Sequence, residues 1–180
     1  MTNDRFRDRY RIQSTRLPGW DYTTPGWYFV TVCVKNRECR LGDVVSDRFG
    51  DALINLSLSG RAVLAELMET QVMRPYIAID EYAIMPNHVH VLIEIHTDPK
   101  VDVTLGTQLK SDSLGVLIGA WKAKATARIR AGGDDTFAWQ ERFYDAVIHD
   151  DAGIERVRAY IRDNPKNWPA DRAKPSGVYM

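Results

Sequence analysis

The chain lacks an excess of charge of either sign, because its 180 residues contain 24 lysines and arginines against 24 aspartates and glutamates. Attraction of the whole protein to nucleic acid by net charge is therefore excluded. Long apolar runs are also missing. The charged N-terminus predicts neither a secretory signal nor a membrane anchor, and the stretch 114–120 is too short to span a bilayer. We expect a cytoplasmic protein with no membrane partner.

Cysteine is scarce too, since Cys33 and Cys39 are the only two. Their spacing fits no zinc or redox motif, and two cysteines are too few for a secreted disulfide scaffold, so we expect both to be reduced. The remaining composition, with 44% apolar and 27% charged residues, is that of an ordinary globular protein. A length of 180 residues suits one compact domain.

The pattern of apolar residues predicts an α+β fold. Strands are predicted over 27–34, 41–45, 52–56, 76–84, 88–95 and 143–148. Helices are predicted from Ser57 or Ser59 to about Met73, from Leu114 to Arg130, and from Asp150 or Asp151 to Asn164. Pro165 is expected to end the last helix, because proline has no N–H for the helical hydrogen bond. Strands joined mostly by hairpins, with helices between them, indicate an antiparallel sheet packed with helices.

The chain divides into three parts by its turn-forming residues. Prolines and glycines interrupt residues 1–26 without any sustained period, which predicts an N-terminal arm. One domain is predicted over 27–165 and a C-terminal tail over 166–180. The best-defined hairpin within the domain turns at Pro86 and Asn87.

Two histidines stand at alternate positions of the predicted strand 88–95. Side chains two residues apart on a strand share a face, so His88 and His90 can converge on one metal ion. Two solvated histidines would show the same spacing, and this alternative stays open. A catalytic metal usually needs a third protein ligand, for which Glu94 on the same face and Asn164 on the last helix are candidates.

A tyrosine and an asparagine lie four residues apart on the last predicted helix, where side chains at that spacing are neighbours. Tyr160 and Asn164 fall at the edge of the apolar stripe formed by Ile154, Val157 and Ile161. A side chain in that position meets both a neighbouring element and solvent, which suits a nucleophile. A packing aromatic and a helix-terminal asparagine are the alternative interpretations.

Positive charge is concentrated in two segments. The predicted helix after residue 113 carries four bases and no acid, and several arginines crowd the N-terminus. These bases form a candidate surface for nucleic-acid phosphates, made of Lys122, Lys124, Arg128, Arg130 and, from the arm, Arg16. A solvated helix face and a frayed tail would explain the same charges. Stacking on bases is open to Trp20, Trp121 and Trp139, with burial in the core as the alternative.

These motifs resemble the HUH single-tyrosine transposases. The resemblance is carried by His88-Val89-His90 after Met85-Pro86-Asn87, and by Tyr160 and Asn164 in Ala-Tyr-Ile-Arg-Asp-Asn-Pro. Segments 16–22, 26–34 and 139–145 resemble further parts of the family. The most similar branch is the one associated with repetitive extragenic palindromes in bacteria.

The resemblance implies a ferredoxin-like antiparallel sheet with the histidines on a central strand and the tyrosine on a neighbouring helix. It implies that His88, His90 and Asn164 bind a divalent metal, Mg²⁺ or Mn²⁺, and that Tyr160 nicks and rejoins single-stranded or hairpin DNA through a 5′-phosphotyrosine link. A homo-oligomer is compatible with the family. Two departures are that Ala146 stands where we expect histidine, and that relatives can carry glutamine at the position of Asn164.

Two other functions fit the same residues. One is a hairpin-binding protein derived from a transposase that no longer cuts DNA. The other is a hydrolase in which His88, His90 and Glu94 bind Zn²⁺ and activate water. Covalent protein–DNA adducts are expected only from the transposase.

Overall fold

The computed structural model describes residues 17–97 and 113–172, with side chains to residue 168, and two short N-terminal strands. These strands, β1 (Arg5–Phe6) and β2 (Arg9–Tyr10), pair with each other. The other elements are β3 (Gly26–Cys33), a 3-10 helix (Lys35–Arg37), β4 (Gly42–Ser46), β5 (Ala52–Leu56), α1 (Leu58–Met73), β6 (Ile77–Met85), β7 (His88–Ile95), α2 (Leu114–Ala131), β8 (Tyr144–Ile148) and α3 (Asp151–Arg172). All six strands and three helices predicted from the sequence are present.

Four of the strands form one antiparallel sheet in the order β6-β7-β3-β8. The units β3-α1-β6 and β7-α2-β8 interleave in it, which is the ferredoxin-like arrangement predicted above. Pro86 and Asn87 form the tight turn between β6 and β7, and the register sets Met85 opposite His88. Strands β4 and β5 form a separate hairpin. The fold is therefore a single α+β domain with β7 in the interior of the sheet.

The two faces of the sheet carry different helices. Helices α1 and α2 pack on one face, over Val89, Val91 and Ile93 of β7. Helix α3 packs on the other face, where Leu92 belongs to a second apolar cluster. Because strand residues alternate between faces, His88 and His90 lie on the side of α3.

The tryptophans considered for base stacking are part of the core. Trp121 and Trp139 are buried in the cluster under α1 and α2, and Trp20 packs against that cluster. The core alternative is therefore correct for these residues. Tyr22 is also buried there, so residues of the predicted arm contact the domain core. Neither Cys33 nor Cys39 forms a disulfide.

The prediction that Pro165 ends the last helix is wrong, since α3 continues to Arg172. A proline inside a helix loses one hydrogen bond and costs about 3 kcal/mol. Trp168, three residues further on, is only 7% exposed and packs in the second cluster with Ile161. Burial of a tryptophan is worth about 3–5 kcal/mol, so this contact offsets the cost of the proline.

None of the helices in the described residues is long and apolar enough to cross a bilayer.

Candidate active site

The two histidines of β7 meet on the face covered by α3. His88 is 0% and His90 1% exposed, and their Nε2 atoms lie 3.0 Å apart. Strand alternation places both rings on one face, and the packing of α3 over that face removes them from solvent. The solvated alternative is therefore wrong for this pair. Two buried imidazoles with facing Nε2 atoms can share either one proton or one cation.

The outer nitrogens of both rings are held by neighbouring side chains. Asn87 Oδ1 lies 2.7 Å from His88 Nδ1, and the amide of Asn87 donates from Nδ2 to the carbonyl of Arg37 at 3.2 Å. That second bond fixes the orientation of the amide, so His88 Nδ1 must be the donor and its Nε2 carries a lone pair. Thr31 Oγ1 lies 2.8 Å from His90 Nδ1 and can donate or accept. Such outer contacts set the tautomer of metal-binding histidines.

Burial keeps these imidazoles neutral. It lowers the pKa of His90 to about 3, with the positive charge of Arg37 as the second cause. Burial likewise holds the pKa of His88 well below its ordinary value, and the repulsion that a second protonated ring at His90 and the positive Arg37 would exert lowers it further. Metals bind the neutral ring, so both histidines are in the form that can act as ligands at neutral pH.

Tyr160 brings its hydroxyl to the same place from α3. Its Oη lies 3.4 Å from His90 Nε2, and the residue is 37% exposed. The phenol ring meets the rings of Phe29 and His90 edge to face, with centroids 5.8 and 5.2 Å away. Phe29 stacks on His90 at 5.3 Å. The hydroxyl is thus positioned by packing while part of the side chain faces solvent, as an attacking group requires.

Asn164 lies one helical turn after Tyr160 and is 3% exposed. Its side chain is within hydrogen-bonding reach of the His88 ring, yet its Oδ1 has no hydrogen-bond partner. A buried amide oxygen left in this state costs about 1–3 kcal/mol. An unsatisfied buried oxygen on a side chain within reach of His88 fits a cation ligand set, and the mixed nitrogen and oxygen donors suit Mn²⁺ better than Mg²⁺.

Glu94 does not join this cluster. It is four residues beyond His90 on β7, about 13 Å along a strand, and its carboxylate lies 3.4 Å from His96. Within residues 17–97 and 113–172 no three His, Cys, Asp or Glu side chains are close enough to share a metal. The third ligand proposed for a zinc hydrolase is therefore too far away, whereas the side chain of Asn164 is within reach of the His88 ring.

Comparisons with known proteins decide the family. The family model described as IS200-like transposase matches residues 24–164. The chain belongs to the IS200-like transposase family. A protein of Haemophilus influenzae described as uncharacterized is 30% identical over 169 residues, which cover 89% of this chain and 91% of that protein. A solved structure of a REP-associated tyrosine transposase bound to a REP hairpin covers 85% of this chain and 73% of its own, at 19% identity and a TM-score of 0.58.

The match to the family model confirms the transposase family predicted from the sequence. The likeness to the solved structure of the REP-associated transposase, at 19% sequence identity, confirms the shared fold. The protein is therefore a DNA-processing enzyme of the transposase type, with DNA binding and DNA recombination as its general activities. Families of this kind generally use a divalent metal.

Ion pairs fix α3 over the site of this transposase. Arg158 makes two contacts of 2.7 Å with Asp80, and Arg162 makes one of 2.6 Å with Glu81. Neighbouring strand residues normally face opposite ways, but β6 has an irregular register at Asp80. This β-bulge allows both acids to reach α3. The two arginines flank Tyr160 on the helix, so the pairs position the tyrosine.

The basic residues of α2 lie on the opposite face of the sheet from the histidines. Lys122 Nζ donates to the carbonyls of Gln140 and Glu141, at 2.6 and 3.2 Å, and burial lowers its pKa. Arg130 donates to the carbonyl of Phe137 at 3.0 Å. Both side chains thus hold the segment before β8 against α2.

The two other bases of α2 differ from each other. Arg128 pairs with Glu66 of α1 at 2.7 Å and lies 3.7 Å from Glu69, whereas Lys124 is exposed. Arg16 lies outside the described residues. The predicted role of these bases in binding DNA stays a prediction.

Ala146 of β8 pairs with Phe29 and is exposed on the face of the sheet that carries the histidines.

Three residues of the site were missed by sequence reasoning. Thr31 carries the one aliphatic hydroxyl in an otherwise apolar or aromatic strand, which was a signal for a special role. Asn87 was seen only as a turn former, and Arg37 had no signal beyond its place after a strand. Their contacts depend on the register between β3 and β7, which brings together residues 50 and 59 positions apart.

Proposed function

We propose that this transposase nicks and rejoins single-stranded DNA through a 5′-phosphotyrosine link to Tyr160. The observation that carries the proposal is the position of the Tyr160 hydroxyl, 3.4 Å from His90 Nε2 and one helical turn before the buried Asn164. A nucleophile next to a set of metal donors suits phosphoryl transfer. We propose His88, His90 and Asn164 as the ligands of Mn²⁺ or Mg²⁺.

The chain's own residues account for positioning and proton transfer. When bound, the divalent ion would polarise the phosphorus of the scissile linkage. Tyr160 Oη forms the new bond to phosphorus, the bond from phosphorus to the 3′ oxygen breaks, and that oxygen takes up a proton to become a 3′ hydroxyl. The phenolic proton leaves to solvent, which reaches Tyr160 because the residue is 37% exposed. Reversal of the same steps rejoins the strand without ATP, because the phosphotyrosine link retains the bond energy.

A DNA hairpin with single-stranded flanks is the partner that we propose. The solved relative described above is bound to a REP hairpin, and the present chain shares its fold. A single strand is needed because the Tyr160 hydroxyl lies in a site between α3 and the sheet, where a rigid duplex backbone would not fit. Outside the site, the exposed Lys124 is the α2 base with most freedom to contact phosphates.

The test is covalent capture of DNA. A pool of hairpin oligonucleotides with randomised stems and flanks is incubated with the protein and Mn²⁺ and then resolved on a denaturing gel. We expect a protein–DNA adduct from the wild type and from Tyr82→Phe, and none from Tyr160→Phe. Tyr82 is the matched control because its exposure, 39%, is close to the 37% of Tyr160. Hairpin binding without an adduct in either Mn²⁺ or Mg²⁺ would instead identify a silent DNA-binding protein.

A further inference from the structure

Arg37 lies at the edge of the site in the 3-10 helix that follows β3. Its Nη1 is 3.8 Å from the Sγ of Cys33. Cys33 is buried, and the register of β3 and β7 sets it opposite His88. Thr31, two residues before Cys33 and therefore on the same face, contacts His90. The guanidinium is thus next to the row of side chains that forms the histidine face of the sheet.

The backbone of Arg37 is held in a conformation that few residues adopt. Asn36 and Arg37 have φ angles of 56° and 58°, in the left-handed region that disfavours residues with a side chain. The Asn87 amide donates to the Arg37 carbonyl and accepts from the His88 ring, so one side chain fixes both residues. Such strain at a non-glycine residue is often found at functional sites.

The charge of Arg37 acts on both histidines, since it lowers the pKa of each. A guanidinium at the edge of a site for a divalent cation is positioned to bind an anion that the cation also binds. None of the three proposed metal ligands is a carboxylate, so a bound divalent ion would keep its positive charge and attract an anion. A DNA phosphate is such an anion, and the planar fork of arginine matches two of its oxygens.

We propose that Arg37 binds the nonbridging oxygens of the scissile phosphate and orients it for attack by Tyr160. This inference rests on the proposed function. It adds a contact between the protein and the reacting group that does not depend on the metal. Loss of such charge-assisted bonds should weaken binding about 10- to 100-fold.

The experiment measures binding in EDTA, with the Tyr160→Phe protein as the background so that no strand is cut. A hairpin oligonucleotide that the protein binds, selected from the randomised pool, is prepared with one neutral methylphosphonate at each flank linkage in turn. We expect Arg37→Gln to weaken binding to every oligonucleotide except one, because the neutral linkage at the Arg37 contact already lacks the charge that the arginine binds. Arg37→Lys should retain part of the affinity.

Lys35→Gln is the matched control, because it removes one positive charge from the same 3-10 helix at an exposed position. It should weaken binding slightly and equally at all linkages. Each comparison is made within one variant, so a partly unfolded preparation cannot produce a linkage-specific result.

If Arg37→Gln binds all the oligonucleotides as tightly as its parent does, or loses affinity equally at every linkage, the proposal for Arg37 is wrong. The nicking assay in Mn²⁺ is read separately. A linkage-specific effect without nicking would leave the Arg37 contact standing and reject the proposed function. Nicking at a linkage other than the one that the methylphosphonate series assigns to Arg37 would contradict the proposal for Arg37 but not the proposed function.

Discussion

Replacement of Thr31 by valine should weaken metal binding without disturbing the fold. Thr31 is buried, and its Oγ1 lies 2.8 Å from His90 Nδ1. Valine has nearly the same shape, so the change removes one hydroxyl from the contact with the ring. The partner that sets the tautomer of His90 is then lost.

The size of the effect follows from the two tautomers of His90. To bind a metal through Nε2, the ring must carry its proton on Nδ1, and Thr31 is the acceptor for that proton. Without the metal, the proton can stay on Nε2 and be donated to His88 Nε2, 3.0 Å away. In the metal-free valine variant Nδ1 loses the threonine hydroxyl as a donor, and in the metal-bound variant it loses it as an acceptor. The second loss is larger because the metal polarises the Nδ1–H group, and we expect a difference between the two states of about 1–3 kcal/mol. This corresponds to roughly a 10- to 100-fold loss of affinity, as found for outer contacts of metal-binding histidines.

The assay is a titration with Mn²⁺ followed by electron paramagnetic resonance, which reports the free ion, on the wild type and both Thr31 variants. Thr31→Ser is the control because it keeps the hydroxyl. We expect the serine variant to bind Mn²⁺ within a few-fold of the wild type and the valine variant to bind it about 10- to 100-fold more weakly. Equal affinity of wild type and Thr31→Val, or equal losses in both variants, would refute the reasoning.

Three further changes are predicted to have defined effects. Trp168→Ala should lower the free energy of unfolding by about 3–5 kcal/mol in urea denaturation, and an unchanged midpoint would show that the end of α3 adds nothing. Arg128→Gln, which leaves the buried carboxylate of Glu66 without its partner, should cost about 1 kcal/mol of stability, whereas Lys124→Gln should cost none and weaken DNA binding instead. The metal-free protein should become less stable as the pH falls below about 6.5, because His88 and His90 then take up protons in the unfolded state. In the folded state the pKa of His90 is lowered to about 3 and that of His88 lies well below its ordinary value, so both stay neutral there. Urea denaturation at about pH 7 and about pH 5.5 should show this loss in the wild type and much less of it when both histidines are glutamine.

Local sequence patterns were enough to predict the elements and to place four candidate residues on two of them, whereas the roles predicted for these residues came from the resemblance to a known family. A period of two predicted that His88 and His90 share a face, and a spacing of four placed Tyr160 beside Asn164 on one helix. Neither pattern required knowledge of distant contacts. For the same reason, the approximate bounds of β7 and the start of α3 could be predicted.

The errors and omissions have a common physical cause in tertiary contacts. Pro165 was expected to end α3, but the burial of Trp168 against the sheet stabilises the helix beyond it. Thr31 and Arg37 reach the histidines only through the pairing of β3 with β7 and the side chain of Asn87. The partner of Arg128 comes from α1, so the charge pattern of α2 alone could not show that this base is engaged.

The identity of the residue that carries DNA tests the central claim most directly. The adduct formed with the hairpin pool in Mn²⁺ would be digested with nuclease and trypsin, and the peptides analysed by mass spectrometry. The account predicts a nucleotide on the phenolic oxygen of Tyr160, in the tryptic peptide 159–162. A nucleotide on another residue, or a nicked strand with no modified peptide, would contradict it.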